Sequence, residues 1–240
     1  MSTARPTVEN ARSVMVGICL SLTMTPVQTA TLTGHHGAPV HVYPPLSRAA
    51  TAPVVMMLHG MCMDAEHTCK AFDGPAREGS WLLCPAGNSA CGGASDWQGD
   101  GARKAAFLDG SLKALDDAHA NLVTHGEGVL VGFSRGAFVA RDVVYERSGE
   151  WTGAIFIGAA FIPDATRFRA AGLRRVVFAS GDYDGARVTM QKAARTLSDN
   201  GLEARFVSLG PIAHQLPHDT GPFVRESLAW IRDAPGESTR

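Results

Sequence analysis

The sequence predicts an α/β fold: a mostly parallel central sheet with helices on both faces and no separate lid domain. Three observations predict it. Strand-like and helix-like segments alternate along most of the chain, the order that builds a parallel sheet through helical crossovers. Several strand-like segments are continuous apolar runs, as expected of strands buried on both faces. The connections between segments are short.

Each element can be justified in turn. Residues 40–43 form a short strand candidate, stopped by Pro44 and Pro45, which lack the N–H a ladder needs. Residues 54–58 are apolar throughout and read as a buried strand, and residues 81–84 as another, ended by Pro85. Over residues 101–125, Ala105, Leu108, Leu112, Leu115, Ala118 and Leu122 fall at helical spacing. Residues 128–133 read as a strand and residues 137–147 as a helix. Strands follow at 154–157 and 175–179, then a helix over 186–200 that Gly201 closes. A last strand at 204–209 and a last helix at 222–232 complete the pattern. The longest gap, residues 159–173, is a loop of about fifteen residues, too short for a lid domain. No internal repeat, low-complexity tract or long linker interrupts the chain, and a single domain over residues 31–240 is expected.

The composition narrows the class of partner. Of 240 residues, 45% are hydrophobic and 19% charged, which are globular proportions, and 22 basic residues against 23 acidic ones give a net charge of -1. Neither the balance nor any block of like charge would draw the chain to nucleic acid or to anionic lipid. Residues 1–30 differ from the rest. Arg5 and Arg12 precede an apolar run over 14–24, and the small residues Thr25, Thr29 and Ala30 follow it, the order of a secretory signal peptide. The run is shorter than the roughly 20 apolar residues that span a bilayer. Export to a periplasm or to the medium is the expectation, with a first strand of a cytoplasmic protein as the alternative. Glu9, Ser21 and Thr23 depart from the signal pattern.

Cys19 lies in that leader, and Cys62, Cys69, Cys84 and Cys91 crowd into a short stretch beyond it. In an exported chain these four predict disulfides, with three pairings open. Joining close neighbours, Cys62 to Cys69 and Cys84 to Cys91, is the least demanding for the chain, although sequence does not establish it. A zinc set of Cys62, His67 and Cys69 is the alternative, at a spacing that matches none of the usual ligand patterns.

The chemistry is carried by Gly132-Phe133-Ser134-Arg135-Gly136, which fits G-x-S-x-G. It stands directly between an apolar strand and an amphipathic helix. A serine at such a turn is held in a sharp, strained conformation, and the glycines remove side chains that would strike the neighbouring strand and helix. Its hydroxyl is thereby exposed beside backbone N–H groups and a positive helix end. On this motif the chain resembles the α/β-hydrolase superfamily, from about residue 40 onward. The resemblance implies an acid after a later strand and a histidine after the last one. Ser180-Gly181-Asp182-Tyr183-Asp184 follows the strand at 175–179, and the family spacing from glycine selects Asp184 as the triad acid over Asp182. His214, after the strand at 204–209, is then the base, with His218 as the alternative. His59-Gly60-Met61 follows the strand at 54–58, where the family carries an H-G dipeptide. This implies an oxyanion hole made by the N–H groups of Met61 and Arg135, with His59 structural.

The resemblance is closest to small lid-less esterases of the dienelactone-hydrolase and cutinase-like branches. It implies a serine ester hydrolase that works through an acyl-enzyme, without metal or organic cofactor, on small-molecule or polymeric esters. Trp97, Tyr183 and Ile212, which flank the catalytic loops, are candidate substrate contacts. The same triad would also serve a peptidase or an acyltransferase, and a non-catalytic binding protein could keep the scaffold.

Overall fold

The computed structural model describes residues 28–47 and 50–233. The apolar run of the expected leader and Cys19 lie outside them. The elements run β1 (Ala30–Thr33), β2 (Pro39–Tyr43), β3 (Ala52–Leu58), α1 (Ala65–Phe72), β4 (Trp81–Pro85), β5 (Ser89–Cys91) and β6 (Ala94–Asp96). Then come α2 (Gly101–His119), β7 (Val123–Phe133), α3 (Arg135–Glu146), β8 (Trp151–Ile157) and α4 (Ala165–Ala170). The chain closes with β9 (Arg175–Ser180), α5 (Arg187–Asp199), β10 (Glu203–Ser208) and α6 (Gly221–Arg232).

Eight strands form one sheet in the order β1-β2-β4-β3-β7-β8-β9-β10, and β5 pairs with β6 in a separate hairpin. From β4 to β10 every neighbouring pair is parallel, whereas β1 and β2 are antiparallel. The apolar run of β3 shows why this order suits the sequence. Val54, Met56 and Leu58 point to one face, where they join Leu112 of α2, Val139 and Val143 of α3, and Met190 and Leu197 of α5. Val55 and Met57 point to the other, against Phe72 of α1 and Leu228 and Ile231 of α6. Successive side chains of a strand alternate faces, so a strand covered on both sides must be apolar at every position.

Several local expectations are corrected. The helix over 101–125 ends at His119, because Asn121 adopts a left-handed φ of 70° and Val123 already pairs with Ala52 in the sheet. Leu122 therefore lies in the connection despite its helical spacing. The loop at 159–173 holds α4, capped by Asp164, whose carboxylate accepts from the N–H groups of Thr166 and Arg167. Helix α1 was not anticipated either; Asp64 caps it by accepting from the His67 N–H at 2.6 Å. Hairpin β5–β6 had a signal in Gly92-Gly93, both at positive φ, a pair suited to a two-residue turn.

The cysteines pair as Cys62–Cys91 and Cys69–Cys84, so the neighbour pairing is overturned. Helix α1 turns Cys69 inward onto β4, where Cys84 is equally buried, while Cys62 stays in the loop after β3 and faces the hairpin. With all four sulfurs in disulfides, Cys62 and Cys69 have no thiolate to offer a zinc ion.

Candidate active site

The loops after β3, β7, β8, β9 and β10 all leave the sheet at the carboxyl ends of parallel strands, the edge where open α/β sheets bind ligands. Ser134 follows β7 directly, at φ 53° and ψ −118°. Its N–H donates to the Ile157 carbonyl of β8 at 2.8 Å, and its own carbonyl accepts from the Ala137 N–H at 3.0 Å. A non-glycine residue held in this region stores roughly 1–3 kcal/mol, which the surrounding packing must offset. The glycines make that packing possible. A Cβ on Gly136 would lie 2.1 Å from the Leu58 carbonyl oxygen, and one on Gly132 would lie 2.4 Å from the Gly136 carbonyl oxygen. Any side chain at either position would separate β3, β7 and α3.

Asp184 and His214 reach toward the serine from the loops after β9 and β10. The Leu209 N–H donates to the Ser180 carbonyl, the Asp182 N–H to the Gly210 carbonyl and the Tyr183 N–H to the Ile212 carbonyl. These bonds zip the loop after β9 to the loop after β10. His214 Nδ1 stands 2.9 Å from Asp184 Oδ2, and His214 Nε2 stands 2.8 Å from Ser134 Oγ. A carboxylate only accepts, so Nδ1 carries the proton and Nε2 is left to accept from the Ser134 hydroxyl. The imidazole also stacks on the Phe133 ring at 5.4 Å. Asp184 is buried, and its other oxygen accepts from the Ala186 N–H at 2.8 Å. Asp182, the competing acid, is exposed and engaged by the Arg187 guanidinium and the Ser208 hydroxyl. His218 is exposed, four residues beyond His214.

The loop after β3 closes the other side. A Cβ on Gly60 would lie 3.4 Å from the Ser134 Cβ, which brings this backbone against the serine. Among the described residues, neither the Met61 N–H nor the Arg135 N–H donates to a protein acceptor. Arg135 is the first residue of α3, at its positive end. His59 is fully buried and structural: Nδ1–H donates to the Gly60 carbonyl at 2.7 Å. Its Nε2 accepts from the Gly87 N–H and the Ser95 hydroxyl, each at 3.0 Å. Burial pushes the imidazole below its ordinary pKa.

Of the expected substrate contacts, Trp97 is overturned. It is 1% exposed, and its indole N–H donates to the His59 carbonyl at 2.9 Å, so it has no face to offer a substrate. Tyr183 is 72% exposed and Ile212 half-buried, both on the zipped loops. Met61 is 57% exposed beside the serine. Trp97 falls in a short Gly-rich stretch that reads locally as a surface loop; its bond to the His59 carbonyl, 38 residues earlier, and its edge-on packing against Phe107 of α2 draw it inward.

Solved structures share this architecture. A carboxylesterase from Mesorhizobium loti superposes with a TM-score of 0.61 at 16% identity, over 85% of this chain and 99% of that one. An esterase from Pyrobaculum calidifontis gives 0.61 at 14% identity, over 85% and 84%. A carboxylesterase from Bacillus cereus gives 0.57 at 17% identity, over 82% and 95%. The fold is that of the α/β-hydrolases. No protein-family model matches the sequence, and no curated protein matches it.

Proposed function

We propose that this chain is a serine carboxylic-ester hydrolase with Ser134 as nucleophile, His214 as base and Asp184 as the acid that orients it. The observation that carries this reading is the continuous relay from Asp184 Oδ2 through both imidazole nitrogens to Ser134 Oγ, at 2.9 and 2.8 Å. It stands on a fold shared with carboxylesterases.

Ser134 Oγ attacks the ester carbonyl carbon while its proton passes to His214 Nε2. Asp184 stabilises the imidazolium through Nδ1–H and keeps the ring in its working tautomer. The negative charge that develops on the carbonyl oxygen is received by the N–H groups of Met61 and Arg135, aided by the α3 terminus. The tetrahedral adduct collapses, the alcohol leaves with the proton from Nε2, and the acyl group remains on Oγ. A water molecule gives its proton to Nε2, attacks the acyl carbon and releases the acid, restoring Ser134.

The substrates we infer are bulky or polymeric esters. Between β8 and β9 stands only the six-residue helix α4, and Met61 and Tyr183 present exposed apolar surface at the same sheet edge as Ser134. The hydrolase domain would span residues 31–240, preceded by a leader for export. Two disulfides support an oxidising compartment, and among the described residues no helix is long and apolar enough to cross a membrane.

The test is hydrolysis of p-nitrophenyl esters, acetate through palmitate, and of a polyester suspension, by wild type and Ser134→Ala. Wild-type turnover that falls at least ~10³-fold in the variant is expected for loss of the nucleophile. Activity confined to the shortest soluble esters would refute the bulky-substrate reading. Faster cleavage of the matching amide would make the chain a peptidase.

A further inference from the structure

Hairpin β5–β6 and the residues around it grip the loop after β3 at every turn. His59 Nε2 accepts from the Gly87 N–H and the Ser95 hydroxyl. Met63 pairs with Ser95 as an isolated antiparallel bridge. Cys62, directly after Met61, is bonded to Cys91 in the hairpin. The strap ends at Trp97, which holds both sides of the cleft. Its indole N–H donates to the His59 carbonyl at 2.9 Å, and its own carbonyl accepts from the Arg135 guanidinium at 3.1 Å. One side of this bridge carries Met61 and the other Arg135, the residues whose N–H groups we assign to the oxyanion.

We propose that Trp97 is a positioning residue for the oxyanion hole: it sets the separation of the Met61 and Arg135 segments, with hairpin β5–β6 as its arm. The inference rests on the hydrolase reading above. Trp97 is too buried to touch substrate, so its effect must pass through the backbone it holds. Donors aimed at a developing oxyanion work only within a narrow range of distance, and a shift of about 1 Å at a reacting centre costs up to ~10²-fold in rate. Removing the indole N–H also leaves the His59 carbonyl unpartnered in the core, so the loop shifts to find another donor.

The experiment compares Trp97→Phe with Trp81→Phe. Trp81 is equally buried and donates an equivalent bond, from its indole N–H to the Leu122 carbonyl at 3.0 Å, where β7 begins, at the edge of the sheet opposite Ser134. Both variants should lose similar thermal stability. Only Trp97→Phe should lose kcat, by about tenfold or more, with KM within about twofold. A boronic acid that mimics the tetrahedral adduct should weaken in the same proportion, and amide exchange at residues 60–63 should quicken. Should Trp97→Phe fail to fold, Ser95→Ala removes one bond to His59 without hollowing the core and should move kcat in the same direction. Full kcat in Trp97→Phe, or kcat and stability falling together in both tryptophan variants, would overturn the proposal. A wild type that neither hydrolyses esters nor reacts with a fluorophosphonate would instead overturn the hydrolase reading, and the oxyanion role with it.

Discussion

Replacing Cys69 and Cys84 together by Ala isolates one of two nested cross-links. The inner bridge, Cys69–Cys84, spans a sequence separation of 15 and lies within Cys62–Cys91, which spans 29. Closing a loop of about 15 residues removes unfolded-state entropy worth about 3 kcal/mol at 25 °C. With the inner bridge closed, the outer one completes a ring of similar size, so the two contribute comparably. In a chain of this length each kcal/mol moves the unfolding midpoint by roughly 2–4 °C, so the variant should melt about 6–12 °C below wild type. The inner bridge ties α1 to β4, away from the Ser134 relay, so kcat at 25 °C should stay at the wild-type value. Thermal melts by circular dichroism without reductant, beside ester turnover on the same samples, read both quantities. A drop under about 2 °C would refute the loop-entropy account. A normal melt with lost turnover would place the bridge in the catalytic architecture.

Asp184→Asn should lower kcat by about 10⁴-fold, since an amide cannot hold the Nδ1–H tautomer and the imidazolium as a carboxylate does. Asp182→Asn, at an exposed acid bound to Arg187, should stay within a few-fold; equal losses would show that the acid is misassigned. Burial holds His59 below its ordinary pKa, whereas the unfolded chain titrates near 6.5. Between the lowered native value and ~6.5 the unfolded state binds the extra proton, so this group's contribution is intact above that window and is lost as pH falls through it. Urea midpoints at pH 7.5 and pH 5 should therefore fall further in wild type than in His59→Gln, and equal falls would refute the linkage.

What was legible in the sequence was contiguous or ordered along the chain. The serine turn could be read because its strand, its glycines and its helix are neighbours, and each glycine answers a clash within that same unit or with the adjacent β3. Asp184 and His214 were expected through the family resemblance, which implies an acid and a histidine after later strands, and both stand in line with Ser134. The structural place of His59 was expected through the same resemblance, and its imidazole is buried among the Gly60 carbonyl, the Gly87 N–H and the Ser95 hydroxyl.

Contacts that cross the chain were decided only by the tertiary structure. Asp184 and Asp182 are two residues apart, and what separates them is the turn after β9, which aims one at His214 and the other at Arg187. Cysteine pairing depended on a helix that rotates Cys69 inward and a hairpin that carries Cys91 over to Cys62. Trp97 read as a surface residue in a Gly-rich stretch until its indole met a carbonyl that no nearer donor satisfies. Periodicity and turn chemistry, which are local, marked the strands β2, β3, β4 and β7–β10 and the longer helices. They left α1, α4 and hairpin β5–β6 unread, and the order Ser134, Asp184, His214 was expected through the family resemblance. Direction of each side chain, and with it which of the candidate residues face Ser134 and which are buried away from it, came from packing, because burial is a property of what the rest of the chain brings alongside.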